Sequence, residues 1–294
     1  MVQFSSCRVA LRCPLVTSGA LVGLLSLHLL ASEAGGQTAP PSVVSACVTT
    51  DLYQAPVVPV PGGETRLRIF LNPHRATLEV PFRLADFCMH AVPVTRESWY
   101  AAAANLPDPS GSPNSVDVPT GEPSPAEQQL PVTGITQREA AAYCASIGGR
   151  LPTESEWEFA AVARVDNLPP PQTQAQPIDA DGQPLANLGW DLDEYDRLSP
   201  VMAFQAGAFG IYDMIGNAAE WTASEEVFVI EPWRRLTSQQ PGENTAVVYK
   251  GGSFADHPDV SRHWQPRARS AARSNERLDD VGFRCAFDAA TPQD

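Results

Sequence analysis

Gly210 to Trp221 reads GIYDMIGNAAEW, and an earlier stretch, Gly149 to Ala161, reads GRLPTESEWEFAA. The rest of the chain is organised around these two blocks. In the first, Asp213, Gly216, Ala218 and Glu220 offer a carboxylate, two main-chain carbonyls and a second carboxylate within one short stretch, a donor set that suits a hard cation such as calcium. Acidic turns are common, and the plainer alternative is that Asp213 and Glu220 only cap or solvate one. In the second block, Thr153 and Glu156 stand at the spacing where each side chain satisfies a free amide at a helix start. The helix that follows turns Trp157, Ala160 and Ala161 toward a core, and Trp157 is read as packing rather than as a ligand platform.

Of the 294 residues, 43% are hydrophobic, ample for a core and incompatible with disorder throughout. A formal net charge of -14 argues against a nucleic-acid partner, because phosphate neutralisation needs clustered Lys and Arg. Near the start, Arg8 and Arg12 precede an apolar run from Leu15 to Ala31, then small residues and a Gly/Pro-rich spacer. That order predicts a secretory signal over 1–34 and an exported protein, periplasmic or extracellular. The alternative is a membrane anchor, since the run sits at the short end of the roughly 17–25 residues that span a bilayer. Removing the signal takes Cys7 and Cys13 and leaves Cys47, Cys88, Cys144 and Cys285, an even set that predicts disulfides in an oxidising compartment.

Along the remainder, Thr65–Phe70 and Ala76–Leu84 alternate as a strand hairpin with Asn72-Pro73 at its turn. Residues 35–79 are taken as an N-terminal extension containing this hairpin, 80–288 as one domain and 289–294 as a tail. Thr95 is placed to cap a helix through Ala104 with Trp99 inward. Leu106–Leu130 and Asn167–Pro184, rich in Pro with Ser, Gly or Gln, read as surface insertions. Thr136 and Glu139 repeat the capping spacing ahead of a helix whose apolar side carries Ala140, Tyr143, Cys144 and Ile147, ended by Gly148-Gly149. KGGSF (Lys250–Phe254) supplies a glycine turn, and VGFRCAF (Val281–Phe287) closes the chain as a strand.

Six motifs occur in fixed order: FCMHAVPVT (Phe87–Thr95), LPVTGITQREAAAYC (Leu130–Cys144), GRLPTESEWEFAA, GIYDMIGNAAEW, KGGSF, and AARS followed by GFRCAF (Ala271–Phe287). Together they resemble the formylglycine-generating enzyme family, also called sulfatase-modifying factors. The resemblance implies a single α+β domain, related to C-type lectins, with little regular secondary structure and with structural calcium. One calcium would fall on Asp213, Gly216, Ala218 and Glu220. Another would fall on the Asn187 side chain and Leu188 carbonyl with Asp193 and the Tyr195 carbonyl. The family disulfide would be Cys144–Cys285, leaving Cys47 and Cys88 either for each other or as two thiols.

The family oxidises a cysteine of a sulfatase to formylglycine through two nearby cysteines, between the GGS turn and AARS, that bind copper(I). A soft, low-coordinate cation needs thiolates. No cysteine lies between Cys144 and Cys285, and the interval offers residues such as Asp256, Val260 and Gln265 instead. Neither the oxidase reaction nor a copper cofactor is expected. Asp256, His257 and His263 could make a substitute iron or zinc site, against the plainer reading of an exposed loop. Ala219 stands where the family usually has an aromatic, and Arg96 where it usually has Asn. Arg267, Arg269, Arg273 and Arg277 form a basic patch suited to an anionic partner, or Arg273 and Arg284 are buried ion-pair partners. The leading expectation is a pseudoenzyme binding an unidentified protein or polymer, with membrane contact only if the leader stays uncleaved. The other is an oxidoreductase of this family working through a different metal.

Overall fold

The structure, a computed structural model, describes residues 47–70, 77–103, 106, 122–165, 178–179, 181–189, 193–207, 209–225, 246–259, 261 and 263–289. The expected signal, the Asn72-Pro73 turn, most of the two Pro-rich insertions and nearly all of the tail lie outside these residues.

Helix α1 (Arg96–Ala103) starts where Thr95 Oγ1 accepts the Ser98 amide at 3.2 Å, and it buries Trp99 and Ala102. Helix α2 (Gln137–Ser146) carries the full reciprocal cap between Thr136 and Glu139. Just beyond it, Gly148 takes φ +77, a conformation that glycine adopts without a Cβ clash. In α3 (Glu154–Val165) Thr153 and Glu156 exchange the same bonds, 2.8 and 3.2 Å, and Arg150 clamps both Glu156 oxygens at 2.7 and 2.8 Å.

Three sheets accompany these helices among the described residues. Strands β2 (Glu64–Phe70) and β3 (Thr77–Arg83) form the expected antiparallel hairpin. A second sheet orders β1 (Val57–Val60), β4 (Phe87–His90) and β9 (Ala286–Asp288) with β4 central, every pair antiparallel. A third sheet orders β7 (Ser270–Arg273), β6 (Ala246–Lys250), β5 (Ala219–Glu225) and β8 (Val281–Gly282), with β5 and β8 parallel.

Two sequence expectations change here. Residues before 80 are no extension: β1 pairs with β4, and Cys47 is disulfide-bonded to Cys88, so the chain from Cys47 onward belongs to the same domain. VGFRCAF is not one strand either. Its first two residues pair with β5 and its last two pair with β4, and Phe283, Arg284 and Cys285 cross between the sheets fully buried. The crossing residues anchor the middle of the molecule. Phe283 meets the rings of Tyr143 (5.3 Å) and Trp99 (6.1 Å), and Cys285 is bonded to Cys144 of α2. Burying a phenylalanine of this kind contributes on the order of 3 kcal/mol. A second apolar group surrounds Trp157 with Phe87, Met89, Ile211 and Met214.

Candidate functional site

The GIYDMIGNAAEW segment enters the third sheet through a backbone few sequences tolerate. Asp213 and Asn217 hold φ of 55 and 60, and Gly216 holds φ 70, all in the left-handed region that costs an ordinary residue about 1 kcal/mol or more. A Cβ on Gly216 would stand 2.1 Å from the Asn187 carbonyl oxygen, so only glycine fits. From this turn the Asn217 amide donates to the Asn187 carbonyl at 2.7 Å, its side chain exchanges two bonds with the Ser199 backbone, and its carbonyl accepts the Phe254 amide at 3.0 Å. Three otherwise separate loops are thereby held together by one asparagine.

At the end of the segment Glu220 is buried and chelated by Arg284, with bonds of 2.7 to 3.0 Å to both carboxylate oxygens. Trp157 Nε1 donates to the same carboxylate at 2.7 Å. Arg284 also donates to the carbonyls of His90 and Tyr212, at 3.2 and 2.8 Å. A buried pair survives only with this degree of hydrogen bonding, because desolvation otherwise outweighs the attraction.

The residues expected to hold calcium are brought together in two loops with different donor properties. In the first, Asn187 is fully buried, its side-chain nitrogen donates to the Arg197 carbonyl at 2.7 Å, and its Oδ1 meets no hydrogen-bond donor among the described residues. Asp193 lies on the same loop, accepting the Leu188 amide at 3.3 Å and the Tyr195 amide at 2.9 Å. An orphaned buried oxygen calls for a partner, and an oxygen-seeking cation fits that need. In the second, Asp213 accepts the Met202 amide at 3.0 Å, whereas Glu220 already faces Arg284 and Trp157; a cation joining Gly216, Ala218 and these carboxylates would share Glu220 with the guanidinium.

The loop after KGGSF stands where the resemblance places the copper cysteines. Gly252, at φ 66, packs so closely that a Cβ would come within 2.7 Å of the Trp264 backbone. Ser253 Oγ donates to Asp280 at 2.7 Å, and its amide donates to Asp256 Oδ2 at 3.0 Å. The other Asp256 oxygen accepts Ser261 Oγ at 2.6 Å and lies 3.3 Å from His263 Nδ1. Of the suggested substitute metal ligands, Asp256 and His263 thus meet, while the half-exposed His257 sits against Asp259. Among the described residues no group of three or more His, Cys, Asp or Glu side chains is placed to hold a metal ion. Gln265 is half-buried, and Val260 lies outside the described residues.

The arginines divide otherwise than expected. Arg277 pairs with Glu139 at 2.6 and 2.7 Å, Arg269 pairs with Glu154, and Arg284 is buried against Glu220. Arg273 is exposed rather than buried, because β7 is an edge strand and ends there. Sequence reasoning missed two further clusters. Lys250 is fully buried among Glu158 (2.7 Å), Glu154 (3.3 Å) and the Ala268 carbonyl. Burial pushes the Glu154 carboxyl up, but Arg269 and Lys250 together hold it below its usual value. His90 Nε2 lies 3.1 Å from Asp51 Oδ2, both side chains at 0% exposure, with the ring N–H turned out of line for a full hydrogen bond. Burial raises the Asp51 carboxyl, yet His90 and the amides of Ala55 and Tyr53 leave it lowered overall. A histidine inside the apolar FCMH strand was the available signal for this pair.

Residues 47–289 match the sulfatase-modifying factor enzyme 1-like domain. The chain is 34% identical over 178 residues to the mouse protein named inactive C-alpha-formylglycine-generating enzyme 2, covering 56% of this chain and 52% of that one. It is 29% identical over 230 residues to the formylglycine-generating enzyme of Mycobacterium tuberculosis, covering 69% and 71%. The chain spans about half the length of the first curated relatives it matches. PvdO from Pseudomonas aeruginosa superposes with a TM-score of 0.57 at 22% identity over 83% of this chain and 98% of that one, a likeness of fold.

Proposed function

Because this chain belongs to the sulfatase-modifying factor family, we propose that it is an exported member that has kept the scaffold and binds a protein or polymer without oxidising cysteine. The carrying observation is the fate of sulfur: all four cysteines from Cys47 onward are in disulfides, and the loop after the GGS turn has none. Carboxylate, hydroxyl and imidazole at Asp256, Ser261 and His263 are poor replacements for a copper(I) dithiolate. That the family includes proteins named inactive is consistent with this. The disulfides fit an oxidising compartment, and the basic, apolar and small-residue order at the start of the chain supports export.

Calcium belongs to the same proposal. Asn187 Oδ1, the Leu188 and Tyr195 carbonyls and Asp193 would hold it, and the ion would supply the positive partner that the buried amide oxygen lacks. A cation at Asp213, Gly216, Ala218 and Glu220 would add to a region that Arg284 already neutralises. The second reading, oxidation chemistry through another metal, is favoured by the 3.3 Å approach of His263 to Asp256. Incubating the purified mature chain with a Cys-x-Pro-x-Arg peptide, with copper, iron or zinc added in turn, separates the two. The peptide mass stays unchanged if the chain only binds; a loss of mass at the cysteine establishes the enzyme.

A further inference from the structure

A hollow of about 370 Å³ opens between α1, the strap that precedes β1, and the loop at Val201, within the size range of ligand sites. Its walls include Tyr53, Gln54, Glu97, Gln129, Val201 and Met202. Of the non-glycine residues with positive φ among those described, two, Gln54 at 66 and Met202 at 65, stand on its opposite walls. Backbone held in this region costs on the order of 1–3 kcal/mol per residue and persists where surrounding structure enforces it.

Here the enforcement is visible on both sides. Buried Asp51 accepts the Tyr53 and Ala55 amides at 2.8 Å each, bracketing Gln54, and is itself fixed by His90; the strap is further tied by Cys47–Cys88. Buried Asp213 accepts the Met202 amide itself. Two aspartates therefore hold two strained rim residues in place, which is the arrangement of a pre-organised binding surface.

The lining chemistry selects the occupant. Glu97 is the one charged side chain among the lining residues, and it accepts Gln129 Nε2 at 3.1 Å at the mouth. The remaining walls are apolar or neutral, with Met202 exposed at the rim. We infer that this hollow receives the cationic side chain, lysine or arginine, of an extended segment of a partner protein, its stem lying against Val201 and Met202 and its charge meeting Glu97. An aliphatic stem with a charged head suits such a cleft, and the net charge of -14 favours the approach of a cationic partner. The inference rests on the binding reading above but not on the loss of the copper site, so a Cys-x-Pro-x-Arg peptide left unmodified says nothing for or against it.

The test compares three acetylated, amidated pentapeptides, Ala-Ala-Lys-Ala-Ala and its arginine and norleucine counterparts, titrated into the mature chain by NMR. The lysine or arginine peptide is expected to bind at least ten-fold more tightly than the norleucine peptide and to shift resonances of α1 and the Val201 loop. In Glu97→Gln, an exposed position whose fold is checked by thermal melting, that preference is expected to vanish. Met202→Gly, which relieves the positive φ while removing the wall, is expected to weaken binding without lowering the melting temperature. Equal binding of the norleucine peptide, no saturable binding of any peptide, or an unchanged lysine preference in Glu97→Gln would overturn the inference.

Discussion

The turn at Asp213–Glu220 and the loop at Ser253–His263 lie side by side, joined by the Asn217–Phe254 backbone bond, yet they follow different rules. The first keeps every feature its geometry demands: positive φ where glycine or a strained residue must sit, a glycine against the Asn187 carbonyl, and a buried carboxylate matched to Arg284. The second keeps the glycine turn but fills the place of a thiol pair with an aspartate and a serine bonded to one another. Packing constrains the first on all sides. The second borders solvent, where polar substitution is tolerated. Scaffold and chemistry can therefore part within one site.

If that contrast is right, substitutions in the first region should cost far more stability. Glu220→Ala strands a fully buried Arg284 and is expected to lose about 3–5 kcal/mol, read by denaturant unfolding; a loss under about 1 kcal/mol would erase the contrast. Replacing Cys144 and Cys285 by alanine is expected to cost about 2–5 kcal/mol, with non-reducing peptide mapping to establish the link. Removing calcium with a chelator should lower the melting temperature, and Asn187→Ala should abolish that response, since its orphaned oxygen is the clearest donor. Asp256→Asn, by contrast, is expected to change stability by about 1 kcal/mol or less.

Acid sharpens the comparison further. Glu154 and Glu156 are both held below the ordinary glutamate value of 4.5; burial alone would raise them, but Arg269 and Lys250 for the former and Arg150 and Thr153 for the latter outweigh it. Their contribution is complete above 4.5 and disappears as pH falls through the lowered values. Stability measured from pH 6 to 3 should fall mainly below 4.5, and Glu156→Gln should flatten that fall.

Much of the scaffold was legible because it is local. Thr136 with Glu139, and Thr153 with Glu156, announce helix starts within four residues, and the alternation after Thr65 announces the hairpin. What escaped is long-range. Nothing near Val57 says that β1 will pair with β4, and nothing in VGFRCAF says that Arg284 will pull it from one sheet to another. The Asp51–His90 and Lys250–Glu158 contacts span tens of residues, and a lone lysine or aspartate reads as exposed until its partner is known. At the site, residue types showed that thiolates were missing, but the closure of Asp256 on Ser261 required coordinates.

The account stands most directly on a copper(I) competition titration of the mature, disulfide-bonded chain. No stoichiometric uptake above that of a disulfide-bonded control protein is predicted. One tightly held copper per chain would contradict it.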